Sequence, residues 1–177
     1  MKNAHLISPV RGFGLIEVLI AVAVVAIGLL GFAKMQALSV GSTHNSGTRA
    51  LIALQASGLA GAMRANEAYW GAGLAPATFT VNGSTLSDST LNGFTNDCTA
   101  GTCTAAQVAA FDLKAWGASL AAMFPASTAT VSCSTTIGTP VTCTITVNWS
   151  EKTIAVNASV AGSSAPATLA YTLLVQP

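Results

Sequence analysis

Residues 11–33 read RGFGLIEVLIAVAVVAIGLLGFA, an apolar run that admits one acid, Glu17, and no other charge after Arg11. As a helix rising about 1.5 Å per residue, residues 13–33 span roughly 30 Å, the hydrocarbon thickness of a bilayer. The segment is therefore expected to cross a membrane once. Lys2 and Arg11 precede it, and a short basic flank stays on the cytoplasmic side, which sends everything after Lys34 to the far side. An ordinary secretory signal carries its apolar region ahead of the cleavage point and loses it. Here a cut ahead of the run would leave the helix on the mature chain.

The remainder is poor in charge: 7% of residues are charged, 51% are hydrophobic, and the formal net charge is +1. That balance offers no basic face for nucleic acid. Its 177 residues suffice for one globular unit with a modest, Ala-rich core. The four cysteines, Cys98, Cys103, Cys133 and Cys143, all lie in the second half. They are even in number and lack zinc-ligand spacing, with His5 and His44 far away, so no metal site is expected. Two disulfides in an oxidising compartment follow, the periplasm in a Gram-negative cell. Local staples fit, Cys98 with Cys103 and Cys133 with Cys143, the second worth roughly 3 kcal/mol in the chain-entropy account. A pairing of Cys98 with Cys143 stays open, because four cysteines allow three connectivities.

A carboxylate in hydrocarbon costs on the order of 3 kcal/mol even on insertion scales, less near the end of a span, so Glu17 needs a compensating role. The stretch GFGLIEVLIA at 12–21, followed by IGLLG at 27–31, resembles the class III signal of type IV pilins and type II secretion pseudopilins. The resemblance implies cleavage between Gly12 and Phe13 by a membrane-embedded prepilin peptidase, then N-methylation of Phe13. A glycine on one side of the scissile bond leaves that backbone accessible. It also implies that Glu17 meets the charged amino terminus of a neighbouring subunit. The physics agrees, since an ammonium and a carboxylate that are each costly alone become tolerable together and set axial register. Many major pilins carry a proline in this helix; Gly28 and Gly31 stand here instead, which favours close helix packing.

Beyond Lys34, Ile52, Ala56, Leu59 and Met63 recur at i, i+4, i+7 and i+11, the stripe of an amphipathic helix and ordinary core. A continuous helix from Phe13 to about Ala65 would be roughly 80 Å long. The weak patch Gly41–Gly47 is expected to bend or fray, and His44 to face solvent. Residues 66–98 read as loop, with turn signals at Asn82-Gly83 and Asn92-Gly93 and room for one short hairpin. Thr104–Gln107 has the form of a capping box opening a short helix up to Pro125, on which Asp112 and Lys114 read as solvated charges. Val141 to Trp149 alternates apolar with polar, Ser150–Lys152 turns it, and Ile154–Val160 and Thr168–Val175 offer further strands beside Ala129–Ser132. The fold class is thus α+β and pilin-like, a long N-terminal helix on an antiparallel sheet of about four strands. The expected organisation is a leader at 1–12, the membrane-spanning and assembly half of the helix at 13–33, its amphipathic half at 34–65, and a globular domain at 66–177.

The tracts ASGLAGAMRAN (56–66), AAQVAAFDLKAWGASL (105–120) and ITVNWSE (145–151) are similar to the PilV group of type IV pilus modification proteins, which are minor pilins. The resemblance implies a structural subunit that helps to initiate pilus assembly. Its partners would be other minor pilins, the major pilin, the prepilin peptidase and the inner-membrane assembly platform. It would sit as a single-pass inner-membrane protein with a periplasmic domain before entering the pilus on the cell surface, in the shaft or at the tip. A type II secretion pseudopilin is the alternative. No catalytic or cofactor-binding residues are expected, since His44 stands alone and Glu67, Asp88, Asp97, Asp112 and Glu151 are scattered. A membrane-anchored binding protein is the third reading, with the loop carrying Tyr69 and Trp70 as its candidate surface.

Overall fold

The computed structural model describes residues 12, 14–134, 136, 139–151 and 166–177. Helix α1 runs Leu15–Ala65, and the chain divides into two units, Met1–Ser42 and Thr43–Pro177. The expected fray at Gly41–Gly47 is overturned, because α-helix continues through those residues without a break. In the second unit α1 buries Ile52, Ala56, Leu59, Ala60 and Met63, the predicted stripe with one more small residue on the same face.

Helix α2 (Glu67–Trp70) follows at once. It sinks Tyr69 and Trp70 into the core at 5% and 2% exposure, edge-on to each other with ring centroids 5.2 Å apart. Strands β1 (Thr78–Asn82) and β2 (Thr85–Leu86) form a hairpin in which Asn82 pairs with Thr85. Gly83 stands at φ +55° in that two-residue turn, a conformation glycine takes without a Cβ penalty. The second turn signal, Asn92-Gly93, makes no hairpin. It closes α3 (Ser89–Gly93), because the Asp88 side chain accepts from the Leu91 N–H at 2.8 Å and caps a helical turn instead.

Helix α4 (Ala105–Met123) opens on the predicted capping box. Gln107 N–H donates to Thr104 Oγ1 at 3.3 Å, and Thr104 N–H donates to Gln107 Oε1 at 2.9 Å. It stops before Pro125, which bars a further helical turn. Strands β3 (Thr128–Cys133), β4 (Cys143–Glu151) and β5 (Ala167–Val175) complete one antiparallel sheet of order β2-β1-β3-β4-β5. Among the described residues the sheet has five strands, against the about four expected. The hairpin β1–β2 stands where one short hairpin was expected, turning at Asn82-Gly83. The strand expected at Ile154–Val160 lies outside the described residues.

Alternate residues of the strands, Phe79, Val81, Ala129, Val131, Ile145, Val147 and Trp149, join Leu59 and Met63 of α1 and Leu113 and Leu120 of α4 in one core. Register is pinned at one end by the Cys133–Cys143 disulfide, which links directly paired residues of β3 and β4 with Cα atoms 4.0 Å apart. Cys98 bonds to Cys103 in the loop before α4. Three hydrogen bonds tie α1 and α2 to α4: Asn66 Nδ2 to the Ala105 carbonyl at 2.8 Å, Trp116 Nε1 to the Gln55 carbonyl at 2.9 Å, and Gln55 Nε2 to Met123 Sδ at 3.7 Å.

Helix α4 lies close against the β1–β2 hairpin at Gly117, where an added Cβ would collide with the Gly83 carbonyl oxygen and the Val81 side chain. Gly117→Ala is expected to destabilise the second unit by about 1–3 kcal/mol, the usual cost of overpacking. Thermal unfolding of the full-length chain in detergent measures it, and a wild-type midpoint would refute this contact.

Candidate assembly segment

The first unit holds the segment on which the sequence reading turned. Gly14 precedes α1, and its carbonyl accepts from Glu17 N–H at 3.0 Å and from Val18 N–H at 3.4 Å, closing the first turn. Glu17 is exposed in that turn, where the unpaired amide groups of a helix start favour an acid. Gly12 is described and exposed; Phe13, the expected new terminus, and the basic Lys2 and Arg11 lie outside the described residues. Between Glu17 and Lys34 the helix carries no charge. Its large apolar side chains are open, from Leu15 at 88% through Leu30 at 73% to Val40 at 70% exposure. At Gly28 and Gly31 an added Cβ would meet nothing within 4 Å. This is the one helix among the described residues long and apolar enough to cross a membrane, with a mean hydropathy of 2.7 over its most apolar window and none of that window buried. So much apolar surface is stable only in lipid or against other apolar chains.

The residues weighed for other roles sit elsewhere. Tyr69 and Trp70 are core, with Trp70 stacked on Phe79 at a centroid distance of 6.4 Å. The binding surface expected at those two residues is thereby removed. Lys114 is not a free solvated charge, for its ammonium donates to the carbonyls of Asn92 and Phe94 at 2.7 and 2.6 Å and fastens the end of α3 to α4. Asp112 is half-buried, and desolvation pushes its carboxyl up. His44 is exposed on α1, and no cluster of three or more His, Cys, Asp or Glu side chains occurs among the described residues.

One pair escaped the sequence reading. Arg49 on α1 forms a two-pronged ion pair with Glu151 on β4, Nε to Oε1 at 3.1 Å and Nη2 to Oε2 at 3.0 Å, across 102 positions of chain. The indole Nε1–H of Trp149 donates to the same carboxylate at 3.0 Å. The Glu151 side chain is 5% exposed while that of Arg49 is 59% exposed, so the carboxylate is sheltered and the cation reaches it from the surface. Period two along β4 was the signal available, since it places Glu151 on the face of Val147 and Trp149.

Comparison with known proteins bears on the first unit. Residues 7–33 match the sequence model of the family described as the prokaryotic N-terminal methylation motif. The chain carries a prepilin-type methylation motif. The matched stretch includes Gly12, Phe13 and Glu17 and ends with the uncharged run, so motif and exposed apolar helix coincide. It supports a pilin or pseudopilin subunit, a structural protein, and fits an inner-membrane anchor processed by a prepilin peptidase. No curated protein and no solved structure matches the chain.

The Arg49 guanidinium, ahead of the Trp149 indole, holds the Glu151 carboxyl below its ordinary value. A depressed folded-state pKa contributes stability that is complete above the unfolded value, about 4.3, and is lost as pH falls through the folded one. Glu151→Gln should therefore lower the melting temperature at pH 7, by on the order of a few degrees. The gap to wild type should close under acid conditions. Melting curves of both chains from pH 7 to pH 3 check this, and a gap independent of pH would sink it.

Proposed function

We propose that this chain is a minor pilin of a type IV pilus, of the PilV kind, which helps to start assembly at the inner membrane and is itself incorporated. The observation that carries the reading is the uncharged, exposed run after Glu17 lying inside the matched methylation motif. The peptidase cuts between Gly12 and Phe13 on the cytoplasmic side, and Phe13 is then methylated. The apolar helix holds the chain in the inner membrane, with the second unit on the periplasmic side, where both disulfides form.

Assembly then moves the helix from lipid into a bundle of like helices. Apolar surface is buried in either setting, so the transfer needs a term that fixes register, and Glu17 supplies it by meeting the amino terminus of a neighbour. The partners are other minor pilins and the major pilin, received through the assembly platform. The resemblance to PilV is supported by tracts that build the end of α1, most of α4 and the end of β4, and these distal tracts favour the pilus over the secretion machine.

Mass spectrometry of the mature chain should find methyl-Phe13 as its amino terminus. In a strain lacking the chromosomal copy, Glu17→Ala should be processed normally yet leave few or no surface pili, with type II secretion unaffected. An intact Met1, or full piliation with Glu17→Ala, defeats the proposal; loss of secretion with normal pili would move the chain to the pseudopilins.

A further inference from the structure

The segment between α3 and the first disulfide forms a strap across one face of α4. Residues 94–97 are neither helix nor strand and start from an extended Phe94. Both ends are fastened: Lys114 holds the Phe94 carbonyl, and Cys98, next after Asp97, is bonded to Cys103, beside the N-cap Thr104 of α4. Between strap and helix lies a cleft of about 350 Å³, lined by residues 94–97 and by Phe111, Lys114 and Ala115. The three α4 residues stand at i, i+3 and i+4, on one face of the helix. A cleft of that size falls in the range of ligand sites, about 300–1,000 Å³.

Most of its surface is apolar. Phe94 and Phe111 are half-buried, and among the described residues their rings pair neither with each other nor with another ring. Both keep surface for an incoming side chain. The backbone N–H and C=O groups of Thr95 and Asn96 make no hydrogen bond among the described residues, so an extended chain laid beside them can take them up. The exposed Asp97 accepts the amide and hydroxyl of Thr99 on one oxygen, Oδ1, at 2.9 and 2.6 Å. Those bonds hold its carboxyl below the ordinary value, and Oδ2 stays open. Lys114 already uses two of its three donors on the carbonyls of Asn92 and Phe94. The charge offered to a ligand is therefore the acid.

We propose that this cleft binds an extended peptide segment of another protein, which lays one large apolar side chain against Phe94 and Phe111, sets a Lys or Arg beside Asp97 and pairs its backbone with Thr95 and Asn96. A small aromatic cation would use the rings and the acid and leave the strap's backbone unpaired. Every Lys and Arg among the described residues lies in α1 or α4, so a second copy presents none of them in extended form. The strap is tied at both ends, which reduces the ordering that binding requires. A segment with an acid in place of the base is repelled, and selectivity follows. The site stands on the second unit alone and adds a binding activity to the structural role proposed above, whichever machine the chain joins.

The full-length chain, isotope-labelled and held in lipid nanodiscs, is titrated with the capped peptide Ac-Thr-Phe-Arg-Thr-amide. The amide resonances of Thr95, Asn96 and Asp97 should shift saturably. Replacing the peptide's Phe by Ala, or its Arg by Glu, should weaken binding at least about tenfold. Ala115→Trp, at an exposed position of the cleft wall, should abolish binding without disturbing the core, and Asp97→Asn should remove the preference for Arg over Glu. Oxidised cysteines and a wild-type melting curve verify the folding of each variant. The inference is overturned by the lack of a saturable shift, by binding retained in Ala115→Trp, by equal affinity for the Phe and Ala peptides, or by an Arg preference that survives Asp97→Asn. Phenethylamine bound as tightly as the peptide overturns it too, and makes the cleft a site for small aromatic cations.

Discussion

From Leu15 to Val40 the large apolar side chains of α1 other than the half-buried Leu38 stand at 50% exposure or more. Apolar surface left in water is disfavoured by roughly 25 cal/mol per Å², and over this many side chains no folding of the second unit offsets that. The segment must therefore be covered by something outside the chain. A bilayer fits as that cover, since the length of the run matches one crossing. Under the proposed assembly a bundle of like helices is the other cover, and the choice between membrane and fibre then rests on the polar group that lipid tolerates least. In that proposal the group is Glu17, which stands in the first turn of α1, the end of the run where a carboxylate costs least in lipid.

The same helix faces a different problem after Ser42. There it carries one apolar stripe, and that stripe is satisfied internally by the sheet and by α4. What holds it beyond apolar burial is polar and specific: the Trp116 indole on the Gln55 carbonyl, and the Arg49 fork on Glu151. Each bonds the helix to a residue far along the chain. Their contribution lies in direction as much as in energy, since a hydrogen bond to one atom fixes the rotation of a helix that an Ala-rich interface would leave loosely defined. The two disulfides act on other parts of the unit, one across β3 and β4 and one in the loop before α4. They close loops of only 5 and 10 positions, so each restrains the unfolded chain locally.

The sequence by itself determined the elements whose information is local. The apolar run at residues 15–33, the stripe from Ile52 to Met63, the capping box at Thr104 and the alternation from Cys143 to Trp149 each declare themselves within a few turns or a few strand residues, because periodicity and capping are interactions between near neighbours. Only the tertiary structure decided the rest. It turned Tyr69 and Trp70 inward, since two aromatic rings have more to gain from Phe79 and the core than a loop can show. It set the bounds of β1 and β2 around the legible turn Asn82-Gly83 and paired β1 with β3, because a two- or five-residue strand is stable only when a longer one such as β3 offers it an edge. It made Glu151 the partner of Arg49, and a contact between groups 102 positions apart depends on how sheet and helix stack, which no window of sequence contains.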